Sequence, residues 1–367
     1  MTRRGVLLGA GAAGLAAGVG VAWSIRRGVS AWSEAQAVLR RPVVPGLMGR
    51  AAREELVRLA TLAANSHNTQ PWRFEIGEDA IAVRPDFSRR CPVVDPDDHH
   101  LFASLGAAAE NIVQAAPVMG LEATLLFEPQ GDGRVVVALR AGPVPESALA
   151  GAILVRQCTR GPYDGRAVAE DGLRALAAAG SGDGVAVRLI TARPAIDAVA
   201  ALVLAGNAAQ MGDPRFMAEL KAWIRFDHAT AVARRDGLFA ACSGNPVVPE
   251  LVGRAMLGLL MSAEGENEKY HQHIAGSAGL AVFMAASDDR AGWVAAGRAY
   301  QRFALQATVL GVRHAFVNQA VEVPVQRARL VALLGLGGRP DLVVRFGYGD
   351  ALPMSLRRPV GDVLIGA

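Results

Sequence analysis

The stretch that most constrains this fold is a polar run that joins a helical pattern to a strand pattern. Apolar residues repeat at helical spacing over residues 53–64, and residues 65–70 then bring Ser, Asn, Thr and Gln together before Pro71 forbids further helix. Apolar residues alternate from Trp72 to Ile76, which predicts a strand. Such a junction can present several donors and acceptors to a flat heteroaromatic ligand. The alternative is a capped turn in which Trp72 anchors the core.

The residues of this junction also match a known motif: Ser66, Asn68, Gln70, Pro71, Trp72 and Phe74. Their pattern resembles the signature of the nitroreductase family of FMN-dependent oxidoreductases. In that family the loop lies beside the flavin ring and usually reaches it from the partner subunit. The resemblance therefore implies that Ser66, Asn68 and Gln70 flank the isoalloxazine ring of FMN.

A second segment, residues 153–163, looks like the start of the family fold. There an Arg, a Ser or Thr, and a further basic residue hold the flavin phosphate. Guanidinium groups bind phosphate bidentately, and hydroxyl groups fill remaining acceptors. Arg156, Thr159 and Arg160 match these roles by resemblance, whereas Cys158 stands where a serine is common. The alternative is a basic surface turn.

The last hundred residues look like the C-terminal half of the same family. By that match, Asn318 lies near the reactive N5 edge of the flavin, and Arg357, together with Arg358, closes on the phosphate. The alternative for the two arginines is a solvated tail.

Two helical patterns echo each other, at residues 101–120 and 293–311, and small residues in the first would allow close packing against another helix. Strand patterns at 123–128 and 135–140 flank a Gly-rich hairpin signal. We predict an α+β fold of two fused nitroreductase-like units, each a mainly antiparallel sheet packed by helices. The expected ranges are an N-terminal segment at 1–27, an exposed lead-in at 28–45, a first unit at 46–145 and a second unit at 150–367.

The two units are unequal, because the ring-facing loop occurs only in the first and the matched phosphate residues only in the second. The resemblance thus implies one complete FMN site where the units meet, and an incomplete second site near Arg40 and Arg41. The fused chain would reproduce internally what other members achieve by homodimerisation, as a monomeric pseudo-dimer or a higher homo-oligomer.

Charge and cysteine content exclude several other classes of protein. The chain of 367 residues has 38 basic and 34 acidic residues, and the four arginines of residues 1–27 account for the whole basic excess. A nucleic-acid partner is therefore not expected. The three cysteines suggest neither a disulfide framework nor a metal site. The acid and histidine cluster at 95–100 lacks metal-ligand spacing and indicates a helix start.

The N-terminus resembles a twin-arginine export signal, with Arg3 and Arg4 ahead of an uncharged run that reaches Ser24. We expect export to the periplasm, cell envelope or exterior, or retention of residues 5–24 as a membrane anchor. Residues 9–14 also match the dinucleotide pattern GxGxxG. They lack the preceding strand and the later acidic residue that this site needs.

The resemblance implies an oxidoreductase that passes hydride through flavin N5 to a small electrophilic, nitro-like or quinone-like acceptor, with NAD(P)H or another electron donor. The main alternative is a catalytically weak flavin-storage protein of the fused, Acg-like branch. A membrane-anchored interaction protein without flavin is a third hypothesis. No residue is assigned a catalytic role, since His67 is either a proton donor or an ordinary turn histidine.

Overall fold

The computed structural model describes residues 26–44, 46–142 and 147–366. The glycine pattern and the predicted N-terminal segment 1–27 lie outside the described residues, except for Arg26 and Arg27, which begin α1. The helices are α1 (26–39), α2 (Gly49–Thr61), α3 (His99–Ala115), α4 (Ala148–Ala152), α5 (Glu170–Gly180), α6 (Arg193–Met211), α7 (Pro214–Trp223), α8 (His228–Arg234), α9 (Glu250–Leu260), α10 (Ala263–Ala275), α11 (Arg290–Val309), α12 (Gln319–Glu322), α13 (Pro324–Leu334) and α14 (Val360–Val363). The strands are β1 (Trp72–Ile76), β2 (Ala80–Pro85), β3 (Leu121–Glu128), β4 (Arg134–Ala141), β5 (Val185–Ile190), β6 (Ile224–Arg225), β7 (Leu238–Phe239), β8 (Gly279–Ala285), β9 (Arg313–Phe316) and β10 (Leu342–Gly347).

Two antiparallel sheets of four strands confirm the predicted α+β class. The first has the strand order β1-β2-β4-β3 and the second β5-β8-β10-β9. In β3 every second residue is exposed, which is typical of a sheet with one solvated face. All of β10 and most of β8 are buried, because helices cover both faces of the second sheet.

The hairpin between β3 and β4 forms where the sequence predicts it. Gly131 and Gly133 have φ values of 61° and 79°, a region that glycine enters without the steric cost that a Cβ brings. Pairing runs from Leu121 opposite Ala141 to Glu128 opposite Arg134.

The centre of the molecule is the contact between α3 and α11, one helix from each unit. A Cβ on Gly106 would lie 2.0 Å from the carbonyl oxygen of Val294, and one on Gly297 would lie 1.8 Å from that of Ala103. Only glycine permits this backbone approach. The expectation that small residues let the two long helices pack closely is therefore confirmed.

The N-terminal part of the described chain differs from the expected exposed lead-in. Residues 26–39 form α1, and the Trp32 ring packs against His228 and Phe239. Sequence periodicity does not reveal this contact, because the partner residues lie about two hundred positions away.

The C-terminal residues cross from the second unit to the first sheet. The Ile365 N–H donates to the Phe74 carbonyl oxygen at 2.8 Å, beside a bridge between Phe74 and Leu364. Val363 and Leu364 are buried in the same apolar core as Trp72. This crossing brings Arg357 and Arg358 next to the polar residues 65–70, which we call the signature loop.

Within the described residues, only α6 is long and apolar enough to cross a membrane, judged by length and composition. Its Ile196, Val199 and Val203 are buried against the second sheet. A helix that is buried in a protein core can have the same length and composition, so these two properties of α6 do not indicate a membrane span.

Candidate ligand-binding site

A cavity of about 410 Å³ lies between the two units, and we call it the large cavity. One side is formed by small residues of the central helices, including Ala103, Ala107 and Gly297, together with the signature loop. The other side comes from the segment 211–273, which contributes Phe216, Leu257 and other mostly apolar residues. The cavity has the size and mixed lining of a cofactor site.

A smaller space of about 70 Å³ adjoins it, and we call it the arginine pocket. Both spaces are lined by Ala64, Asn65, Arg160, Leu238, Ser243 and Phe316, so one molecule could extend through both. The arginine pocket adds Arg40, Arg156 and Arg357.

The guanidinium groups of the arginine pocket are held by backbone carbonyl groups. Arg40 donates to Leu154 at 2.6 Å, Arg156 to Leu62 at 2.7 Å and Arg357 to Thr61 at 2.9 Å. Among the described residues, none of these three, nor Arg160, forms an ion pair with a carboxylate. Burial, followed by repulsion from the neighbouring arginines, lowers the pKa of Arg40 and of Arg357 to about 9. Positive charge without a counter-ion inside a protein strongly favours an anionic ligand.

The structure brings together Arg156, Arg160 and Arg357, which the resemblance assigned to a phosphate. It also places Arg40 in this pocket, whereas we expected Arg40 and Arg41 to mark a separate, incomplete site. Arg41 points elsewhere and pairs with Glu55 at 2.6 Å. The difference arises because α1 packs on the molecule and delivers Arg40 to the same place.

Thr159 does not line either space. Its hydroxyl is buried and donates to the Gln157 side chain at 3.0 Å. The segment is extended there, since Cys158 bridges to His314 and the Thr159 N–H donates to the His314 carbonyl oxygen. Successive side chains of an extended chain point to opposite sides. Cys158 therefore faces the pocket and Thr159 faces away.

The signature loop adopts a backbone that non-glycine residues rarely take. His67, Asn68 and Gln70 have φ values of 46°, 54° and 53°. The Gln70 N–H donates to the Asn65 side chain at 2.8 Å, and the Asn68 amide donates to Gly237 at 3.0 Å. Residues in this region of φ and ψ cost free energy and cluster at functional sites.

The three predicted ring-facing residues of this loop are placed differently. Ser66 lines the large cavity, and Asn68 lines the arginine pocket with a buried Oδ1 that has no hydrogen-bond partner. Gln70 reaches neither space. Its Nε2 donates to the Arg235 carbonyl oxygen at 2.8 Å, and its Oε1 accepts from the Arg358 N–H at 2.7 Å. Contrary to expectation, the Gln70 side-chain amide links Arg235 to the C-terminal segment that crosses to the first sheet.

Two further predicted positions can be located. Asn318 lines the large cavity, and its Oδ1 accepts from the Val343 N–H at 2.9 Å, which fixes it beside β10. The Arg358 guanidinium lies outside both spaces and donates to the Asp362 carbonyl oxygen at 2.6 Å.

The sequence did not predict a polar wall of the large cavity, which is formed by His100, Gln210 and Glu322. Gln210 donates to Glu322 at 2.7 Å, and His100 Nε2 lies 3.5 Å from the Glu322 carboxyl. Burial raises the pKa of Glu322 to about 7. No motif could reveal this wall, because its residues come from three separate helices.

His67 also lines the large cavity. Burial, with a further contribution from the charge of Arg160, lowers the pKa of His67 to about 4. Its ring is therefore neutral near pH 7, which agrees with a turn histidine rather than a cationic proton donor.

Asp95, His99 and His100 have potential ligand atoms within 4.8 Å of one another. The Asp95 carboxylate accepts from the backbone N–H groups of His100 and Leu101, both at 3.0 Å, and so caps α3. His99 Nε2 lies 2.8 Å from Asp341. The predicted helix start is confirmed at this cluster.

Comparison with known proteins gives related sequences. No protein-family model matches the chain. A putative NAD(P)H nitroreductase of Mycobacterium tuberculosis is 28% identical over 322 residues, covering 84% of this chain and 90% of the relative. The putative NAD(P)H nitroreductase acg of the same organism is 23% identical over 322 residues, covering 84% and 93%.

Two solved structures are also similar. A nitroreductase with bound FMN from Desulfitobacterium hafniense is 14% identical, with a TM-score of 0.39, covering 61% of this chain and 100% of its own. The FMN-dependent nitroreductase NfnB from Mycobacterium smegmatis, in complex with NADPH, is 16% identical, with a TM-score of 0.37, covering 55% and 88%. The chain is thus similar, over most of its own length and of theirs, to two mycobacterial proteins that are named putative NAD(P)H nitroreductases.

Proposed function

We propose that this chain binds one FMN between its two units and is an FMN-dependent oxidoreductase. The observation that carries the proposal is the arginine pocket, in which Arg156 and Arg357 are buried and Arg40 is half-buried, all without a carboxylate partner among the described residues. A phosphate group supplies the missing charge and accepts several guanidinium hydrogen bonds.

The residues fit this cofactor on two further counts. The arginine pocket opens next to a cavity of about 410 Å³, which offers room for a tricyclic ring. Asn68 has a buried oxygen without a partner at the boundary of that site. When bound, FMN would supply hydride transfer through its N5 atom.

The protein would orient the cofactor and limit access to it. Arg160 lines both spaces and donates to Ser243 at 3.3 Å, so it can fix the link between phosphate and ring. The segment 211–273 would cover the ring side with mostly apolar residues, which limits the access of water. Ser66 and Asn318 would provide polar contacts along the cavity. The neutral His67 adds no charge there.

The acceptor would be a small electrophilic, nitro-like or quinone-like molecule, and the donor NAD(P)H or another reductant. We extend the proposal to the fused, Acg-like branch, because two sheet-containing units meet within one chain. Export through residues 1–27, or anchoring there, belongs to the same proposal and rests on Arg3, Arg4 and the apolar run that follows. If the protein is exported, a donor other than NAD(P)H would be required.

Flavin storage is a second candidate function, favoured by the cover that α9 and α10 form over the large cavity. Rapid bleaching of bound flavin by NADH or NADPH would contradict storage. Flavin that stays oxidised with both reductants, yet is bleached by dithionite, would support it.

An absorption spectrum of the purified chain after addition of FMN and removal of the excess tests the main proposal. We expect one bound FMN per chain and much weaker binding of riboflavin, which lacks the phosphate. A colourless protein, equal affinity for both flavins, or two tightly bound FMN molecules per chain would each contradict it.

A further inference from the structure

The arginine pocket contains two thiols but no carboxylate among the described residues that line it. Cys158 and Cys242 both contribute to its wall. Neither forms a disulfide. A thiolate is therefore the available internal anion for this cluster of arginines.

The surroundings of Cys158 suit a thiolate. Its Sγ accepts a hydrogen bond from Arg156 Nη1 at 3.6 Å and lies 3.3 Å from the Tyr300 hydroxyl. That hydroxyl lies 3.3 Å from His314 Nδ1. The Nε of Arg156 is buried without a hydrogen-bond partner, so the guanidinium retains capacity for an anion. Other titratable groups around the pocket are Arg40, Arg160, Tyr163, Cys242 and Arg357.

The two thiols differ in their ionisation. Burial alone would raise the pKa of Cys158, but the nearby His314 ring and the charge of Arg156 outweigh burial and lower the pKa well below its usual value. For Cys242 burial prevails over a hydrogen bond with Ser355 and raises the pKa to about 11. Cys158 is therefore the more readily ionised of the two thiols in this pocket.

We propose that Cys158 is a reactive thiolate that balances part of the positive charge of the arginine pocket until a phosphate-bearing ligand binds there. A phosphate entering the pocket brings a second negative charge beside the sulfur. The thiolate then takes up one proton from solvent and becomes a thiol, so phosphate binding and proton uptake are coupled. The identity of the ligand rests on the proposed function, whereas the reactive thiolate does not.

Alkylation by iodoacetamide, followed by peptide mapping of the full chain without added flavin, tests the thiolate. The sulfur forms a bond to the reagent's CH₂ carbon as the carbon–iodine bond breaks and iodide leaves. We expect Cys158 to react at least about tenfold faster than Cys242 near pH 7. Its rate should stay nearly constant from about pH 7 to pH 9, where an ordinary thiol gains about 20-fold.

Cys158→Ser and Cys242→Ser are matched controls, since each removes one thiol from the same pocket. Cys158→Ser should abolish the fast reaction and Cys242→Ser should leave it intact. A Cys158 rate that rises with pH like that of an ordinary thiol, or a rate equal to that of Cys242, would overturn the proposal.

Ligand protection then tests the exchange of anions. Inorganic phosphate and FMN should slow the alkylation of Cys158, whereas riboflavin at equal occupancy should slow it less. From about pH 7 to pH 8 the Kd of FMN should rise by up to tenfold in the wild type and stay flat in Cys158→Ser. The arginines are present in both proteins, so any pH dependence that they add to the Kd cancels when the two proteins are compared.

The outcomes separate this inference from the proposed function. Fast, pH-independent alkylation without any FMN binding would retain the thiolate and reject the flavin site. Tight FMN binding with slow alkylation of Cys158 would retain the flavin site and reject the thiolate. Fast alkylation that phosphate and FMN leave unchanged would reject the exchange of anions.

Discussion

The arginine pocket and the large cavity share part of their lining, yet they are built for different kinds of chemical group. In the pocket, buried guanidinium groups have carbonyl partners but no carboxylate among the described residues. In the cavity, His67 is neutral, and the ionisable Glu322 has its pKa raised to about 7. The pocket therefore selects by charge. The cavity, whose mainly apolar lining includes a few charged groups such as Arg160 and Lys269, selects mainly by shape.

This difference has a clear thermodynamic meaning. An anionic group bound in the pocket relieves the repulsion among the arginines of the folded protein. It therefore adds affinity without burying further apolar surface. A ring bound in the cavity gains affinity from buried apolar area and from few polar contacts. FMN and riboflavin differ only by the phosphate, and together they can separate the two contributions.

The largest effect is expected from Arg357→Gln, which removes one pocket charge. The Kd of FMN should rise about 100-fold, while that of riboflavin changes little, because the lost hydrogen bonds are charge-assisted. Flavin fluorescence titration measures both constants. Arg41→Gln is the matched control, since Arg41 pairs with Glu55 outside the pocket. An equal loss for both flavins would remove the distinction between the two regions.

A smaller effect, on stability alone, is expected from Gln70→Leu. The substitution leaves the Arg235 carbonyl oxygen and the Arg358 N–H without their buried partner. The free energy of unfolding should fall by about 2 kcal/mol. Urea denaturation measures it, with Gln272→Leu on an exposed helix face as control. If the folded variant instead loses flavin affinity, Gln70 contacts the ring as the motif implied.

Ser66→Ala should weaken both flavins by a similar factor of about five, since Ser66 lines the cavity and not the pocket. The same fluorescence titration gives the ratio of the two Kd values. A change in that ratio would place Ser66 on the phosphate.

The smallest effect is expected from Glu322→Gln in the polar wall. Because burial raises the folded pKa of Glu322 to about 7, its contribution to stability is complete below the unfolded pKa and is lost as pH rises through about 7. The glutamine variant does not titrate. Its Tm should match the wild type near pH 4 and exceed it near pH 8, by the equivalent of about 1 kcal/mol. If Glu322→Gln were less stable than the wild type at pH 8, the folded protein would stabilise the ionised Glu322 carboxylate, contrary to this prediction.

Much of the local structure could be predicted from the sequence, because it depends on short-range patterns. The hairpin of β3 and β4 was predicted by alternation and turn glycines, and α3 and α11 by apolar periodicity with small residues. Charged and polar motif residues were identified by their resemblance to a family. The directions in which these side chains point were less predictable. Thr159 faces away from the pocket because it is one position along an extended chain from Cys158, and Gln70 faces away because it bonds to Arg235 and Arg358.

The sequence by itself determined the helix-to-strand junction, the hairpin and the long helices, since periodicity and turn residues are local properties. Its resemblance to a family pointed to the fold class and to Arg156, Arg160 and Arg357. The tertiary structure decided that Arg40 joins Arg156 and Arg357, that Cys158 faces them, and that the C-terminal crossing delivers Arg357 to the first unit. These outcomes depend on contacts between segments far apart in the chain, and the packing of α1, α3 and α11 fixes them.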